Sequence, residues 1–176
     1  MIAWVRRRGW LVLAGICGVV FASSVGALWH RSVQGSRREP LPGFGEIAVH
    51  VDQGNGQASL AWCLLAALDA AQRGRGLMEV TDLRGYPGMA FVYQQDVENP
   101  FYMRNTPTPL SIAWITAAGK VVTITDMAPC ANRQGCPLYT PAGRYRYAIE
   151  VPKGSLGDLG ITAASKVTVG GRCAAS

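Results

Sequence analysis

The chain has 176 residues, a length that accommodates one domain with some chain to spare. Hydrophobic residues make up 49% and aromatic residues 9%, which excludes a disordered or low-complexity chain. The formal charge of +6 includes Arg6, Arg7 and Arg8; without them 14 basic residues face 11 acidic ones, a balance of +3 with no basic stripe to track a phosphate backbone. Nucleic acid is therefore not an expected partner, and the basic excess is assigned to targeting.

Taken in chain order, the first element is an uncharged apolar stretch from Trp10 to Leu28, directly behind the three arginines. That arrangement describes a signal peptide or an uncleaved transmembrane anchor over residues 1–28. Val25-Gly26-Ala27 offers cleavage after Ala27, and Arg6 to Arg8 favour a cytoplasmic N-terminus. Either reading puts the domain outside the cytoplasm, secreted or anchored in the cell membrane. Residues 29–45 have the Ser, Gly, Arg and Pro content of a flexible linker, which leaves 46–176 as the folded domain.

Glu46 to Val51 alternates as a strand does, and Asp52 to Gly56 turns the chain. Ser59 to Gln72 reads two ways. It is either a helix capped by Ser59, or a buried strand from Leu60 followed by a helical turn capped by Asp69 and running to Arg75. Met89 to Tyr93 and Pro100 to Met103 are further strands. Ser111 to Thr116 and Lys120 to Ile124 flank Ala117-Ala118-Gly119 as a hairpin. Tyr145 to Val151 and Lys166 to Val169 complete the set, with one helical turn expected near Ser155 to Leu159. The expected class is mainly β, a small single-domain β-barrel or sandwich with one or two short helices.

Apart from Cys17 in the apolar stretch, four cysteines remain, an even number that reads as disulfides in an exported chain. Cys130 with Cys136 closes a short loop, and Cys63 with Cys173 ties the start of the domain to its end. No second cysteine pair stands at metal spacing and the only histidines are His30 and His50, so no metal and no cofactor are expected. The lack of a histidine deep in the domain argues against histidine-activated nucleophiles, so no catalytic residue is assigned.

Several fragments in order resemble one family. These are Gly76-Leu77-Met78, Gly88 to Val92, Met103-Arg104-Asn105-Thr106 and Pro109 to Ile115, continuing into Met127 to Cys130, Cys136-Pro137 and Tyr147 to Pro152. The set is similar to domain of unknown function 192, an uncharacterised family, over about Leu60 to Val169. The resemblance implies a mostly β single domain, favours the strand reading of Leu60 to Ala67, and brings no established activity. Two positions depart from the family pattern. Glu79-Val80 stands where an Arg is usual after Gly-Leu-Met, and Ser111 stands where many members carry Asp.

Arg104, Asn105 and Thr106 are candidate ligand-binding residues: an Arg can grip an anion bidentately and an Asn can orient it. The same residues before Pro107 also satisfy ordinary turn chemistry. Tyr139, just after the Cys130–Cys136 loop, is a further candidate to line a pocket or to pack on the disulfide. The leading expectation is a binding or accessory module at the cell envelope, with an envelope protein or small ligand as partner. The alternative is a small hydrolase or carbohydrate-active enzyme using Asp126 and Glu150 with Arg104 and Asn105, which requires the two carboxylates to face one another at a defined separation.

Overall fold

In the computed structural model, residues 37–131 and 135–174 are described. The expected signal or anchor segment lies outside them, and no described helix is long and apolar enough to cross a membrane. Among the described residues nine strands form, mostly where alternation or buried apolar runs predict them: β1 (Gly45–Asp52), β2 (Leu60–Ala67), β3 (Met89–Val97), β4 (Phe101–Tyr102), β5 (Leu110–Ile115), β6 (Val121–Met127), β7 (Leu138–Tyr139), β8 (Tyr145–Pro152) and β9 (Lys166–Val169). One short helix, α1 (Ala70–Arg75), joins β2 to β3, and a 3-10 turn covers Gly157–Leu159.

Seven strands make one sheet in the order β6-β5-β8-β3-β2-β1-β9, and β4 pairs with β7 in a separate ribbon. The class is mainly β, and of the two architectures expected it is the sandwich-like one. The edges β6 and β9 do not pair along their length. They meet only at the β5–β6 turn, through a bridge between Lys120 and Lys166 and the bond from the Val167 amide to the Gly119 carbonyl at 2.8 Å.

The ambiguity at Ser59 to Gln72 resolves as strand then helix. β2 runs parallel to β3 with Leu65 opposite Met89. A parallel pair needs a crossover, and α1 supplies it. Asp69 caps α1 by accepting from the Gln72 amide at 2.8 Å, while the Gln72 side chain accepts from the Asp69 amide at 3.2 Å, a reciprocal capping box.

Both faces of the sheet are covered. On one, Leu65, Met89, Phe91, Ile112, Trp114 and Ala148 pack with Phe101 and Met103 of the β4 region. On the other, Val49, Leu64, Ala90, Ala113, Ile149 and Val167 pack under Leu156, Leu159 and Ile161. Trp62 fastens the second layer by donating its indole N–H to the Leu159 carbonyl at 3.1 Å. Every residue of β5 is buried, because alternate side chains enter different cores.

The expected linker is shorter than its composition implies. Leu41 and Phe44 are buried in the first core, the Glu39 amide bonds to the Arg84 carbonyl, and Arg38 donates to the Ala174 carbonyl at 2.6 Å. Two apolar side chains among Pro, Gly and Arg suffice to fold this stretch onto the sheet, since each buried one contributes about 2 kcal/mol.

Gly88 sits where β3 begins, against β8. A β-carbon there would overlap the Glu150 carbonyl oxygen and lie 2.8 Å from Val151 Cγ1. Gly88→Ala is expected to cost about 3 kcal/mol by forcing the two strands apart, readable as a lower urea midpoint at unchanged slope.

Candidate functional site

The first core does not close completely. Between α1, β3 and the β4 region lies a cavity of about 490 Å³, within the range of small-ligand sites. Its walls include Phe91, Tyr93, Phe101 and Tyr102, its rim carries Arg73 and Arg75, and Glu150 reaches it from β8. The Phe91 and Phe101 rings meet edge to face with centroids 5.0 Å apart. Phe91 also packs under Gly76, where a β-carbon would lie 3.2 Å from the ring, so this glycine lets the chain leaving α1 run close over the aromatic wall.

Arg73 is held in place from both sides. Its Nη1 donates to the carbonyls of Leu68 at 2.7 Å and Val92 at 2.9 Å, and its guanidinium lies 4.7 Å over the Tyr93 ring. Tyr93 stacks edge-on against Tyr145, whose hydroxyl donates to the Asn99 carbonyl at 2.8 Å. Burial, reinforced by the Tyr93 hydroxyl, pushes the Tyr145 phenol far above its ordinary range, so it remains a neutral donor.

Glu150 is the unusual residue. In the register it stands between Met89 on β3 and Ile112 on β5, on the face that carries the first core. It is only 4% exposed, and its carboxyl group makes no hydrogen bond or ion pair among the described residues. Loss of water raises its pKa from 4.5 to about 8, so at neutral pH the group is a carboxylic acid. Near it on the same face, the Trp114 indole nitrogen is also buried with no hydrogen-bond partner among the described residues. A buried acid without a partner is costly in a pure core, and a cavity beside it supplies the reason it is tolerated.

The residues read from the sequence divide. Thr106 is 5% exposed and lines the cavity. Arg104 is exposed, lies over the Tyr102 ring at 5.4 Å and bridges to Cys130 through its backbone. Asn105 adopts a left-handed φ of 56°, its amide donating to the Cys130 carbonyl and its carbonyl accepting from Glu79 at 2.7 Å. Its backbone thus turns the chain and bonds two loops. The Tyr139 hydroxyl accepts from the Ala128 amide at 2.9 Å, outside the cavity.

Asp126 and Glu150 do not form a pair. Asp126 is opposite Ser111, itself opposite Val151, whereas Glu150 is opposite Ile112. Directly opposed residues share a face and successive residues alternate, so the two carboxylates project to opposite sides of the sheet. Asp126 instead accepts from Ser111 Oγ at 2.6 Å and faces Lys153 at 3.6 Å. The two-carboxylate hydrolase reading is thereby withdrawn.

Both disulfides form, Cys63 with Cys173 and Cys130 with Cys136. Such bonds fit an oxidising, extracytoplasmic environment. Glu46 lies within 4.8 Å of the Cys63 and Cys173 sulfurs, but their mutual bond removes them as metal ligands.

Residues 51–169 match the family DUF192, described as Uncharacterized ACR. The chain belongs to this family. Among solved structures, a protein of unknown function from Novosphingobium aromaticivorans DSM 12444 is similar at 26% identity. The match covers 74% of this chain and 90% of that one, with a TM-score of 0.63. A Sinorhizobium meliloti 1021 protein designated a candidate transcription regulator shares the fold at 21% identity, over 72% of this chain and 95% of that one, with a TM-score of 0.61. No curated protein matches the sequence.

Sequence reasoning missed Arg73, Tyr93, Phe91 and Phe101 and considered Glu150 as one of a carboxylate pair with Asp126. One signal for Glu150 was present: Leu110 to Ile115 is apolar at nearly every position, which marks a strand covered on both faces. Glu150, in an apolar strand of the same sheet, has no solvent side to occupy.

Proposed function

We propose that this DUF192 domain is a binding or accessory module of the cell envelope, held outside the cytoplasm by its N-terminal segment, and that it takes a small ligand in the cavity over Glu150. The observation that carries the reading is a carboxyl group more than nine-tenths buried, without a partner among the described residues, on the wall of a cavity lined by aromatic side chains. The two disulfides and the apolar stretch behind Arg6 to Arg8 support a place outside the cytoplasm. With no second carboxylate or histidine beside Glu150 on the cavity wall, the site has the means to hold a molecule and lacks an acid–base pair to transform one.

A thermal-shift screen of the detergent-solubilised, oxidised full-length chain tests this. The panel comprises sugars, cell-wall fragments, nucleotides, amino compounds and metal ions. A ligand at a hundred times its dissociation constant adds about 2.7 kcal/mol, a rise of about 4 °C in Tm. The shift is expected to disappear in Phe101→Ala and to persist in Arg104→Ala, which alters a residue outside the cavity. A panel without any shift, or a shift untouched by Phe101→Ala, would overturn the assignment to this cavity.

A further inference from the structure

We infer that the cavity takes a small zwitterion, its ammonium group seated between the Glu150 carboxyl and the aromatic walls and its acidic group at the Arg73–Arg75 rim. The inference rests on the proposed binding role and names the ligand class for that site.

The polarity of the cavity has a direction. At its buried side Glu150 is flanked by Met89 and Ile112, with no protein cation or hydrogen-bond donor engaging it among the described residues. Phe91, Tyr93, Phe101 and Tyr102 line the space, Tyr93 and Tyr102 each already holding a guanidinium over the ring, and aromatic rings attract organic cations. An acid that no described residue satisfies, with aromatic side chains lining the space beside it, matches a ligand that brings its own positive charge. The entrance has the opposite sign. Arg73 spends only Nη1 on the Leu68 and Val92 carbonyls, and Arg75, whose guanidinium lies 5.1 Å over the Phe44 ring, spends only Nη1 on the Pro42 carbonyl, so each keeps further N–H groups for an anion. A bare amine would be repelled there, and a plain carboxylate would find nothing at the Glu150 end. A molecule carrying both charges on an apolar stem satisfies both ends.

The charged and titratable groups on this cavity are Arg73 and Arg75 from α1, Tyr93 from β3, Tyr102 from β4 and Glu150 from β8; β5 contributes only Ile112 and Trp114 near Glu150. Binding therefore has a proton signature. The free protein holds Glu150 protonated at neutral pH, its pKa raised to about 8 by burial. An arriving ammonium keeps its proton and draws Glu150 into its ionised form. The Glu150 O–H bond breaks, its electron pair stays on the carboxylate, and the proton passes to buffer.

The test is isothermal titration of the oxidised full-length chain at about pH 7 in two buffers of different ionisation enthalpy. The probes are 5-aminopentanoate, 5-hydroxypentanoate, pentanoate and pentylamine, which share one stem. The expected result is binding of 5-aminopentanoate with release of about one proton. Its affinity should exceed those of the three analogues and fall about thirtyfold or more in Glu150→Gln. Equal binding of 5-hydroxypentanoate, or binding of 5-aminopentanoate without proton release, would overturn the zwitterion while leaving a ligand-binding cavity intact. The proton count needs no variant, so it is unaffected by any folding defect of Glu150→Gln. Failure of all four probes alongside a panel ligand lost in Phe101→Ala would likewise reject the ligand class and keep the binding role.

Discussion

Glu150→Gln is expected to flatten the pH dependence of stability and to make the protein more stable at neutral pH. The folded-state pKa of Glu150 is raised from 4.5 to about 8 by burial. Below the lower value both states hold the proton and the group contributes no pH dependence. Between the two values the unfolded chain has released its proton while the folded one retains it. Fewer protons are then bound in the unfolded state, and stability falls as pH rises, by about 1.4 kcal/mol per pH unit. Above the higher value the loss is complete. Urea unfolding at about pH 5.5 and about pH 7.5 should show the wild type losing about 2–3 kcal/mol relative to Glu150→Gln over that interval. Glutamine keeps the shape and carries no titrating proton, so the difference between the two proteins isolates this group from every other titration. Parallel pH profiles would mean that water or a partner reaches the carboxyl group in the folded state.

Loss of the Cys63–Cys173 bond is expected to cost about twice as much as loss of Cys130–Cys136. The first closes a separation of 110 residues and the second a separation of 6. Loop-closure entropy in the unfolded chain predicts about 4–5 kcal/mol for the long bridge and about 2 kcal/mol for the short one. The long bridge also joins β2, buried at Cys63, to the segment after β9, which otherwise holds through Gly170 and Gly171 bonds to Ala48 and the Arg38 bond to Ala174. Calorimetry of Cys63→Ala/Cys173→Ala against Cys130→Ala/Cys136→Ala measures the comparison. An equal or smaller loss for the long bridge would show that native-state strain, not chain entropy, governs these bonds.

Local chemistry was readable where one segment decides its own conformation. Gly119, at a φ of 87°, closes the β5–β6 turn at the place its sequence neighbours indicate, and Asp69 caps α1 as a short-helix reading requires. Leu60 to Ala67 was ambiguous for a physical reason. In a strand buried on both faces the period of two vanishes, Cys63 and Leu65 entering one core and Leu64 the other. Leu41 and Phe44 were lost in a stretch whose remaining residues are those of a linker. The cavity was the least readable part. Arg73, Phe91, Phe101 and Glu150 span the chain, and only the crossover through α1 and the placement of β8 between β5 and β3 bring them to one space. Thr106, one of the candidate ligand-binding residues, lines the cavity, and Asn105 beside it turns the chain at a left-handed φ.

The two faces of the sheet carry unequal duties. The face beneath Leu156, Leu159 and Ile161 is filled with aliphatic side chains, with Val49, Leu64, Ala90, Ile149 and Val167 fully enclosed. The other face combines packing with an opening. Because alternate residues of the same strands serve the two sides, a side chain can be exchanged at the cavity without disturbing its immediate neighbours in the closed layer. Such an architecture separates what keeps the domain folded from what determines its taste in small molecules. A lineage using this scaffold is free to retune the second while inheriting the first unchanged.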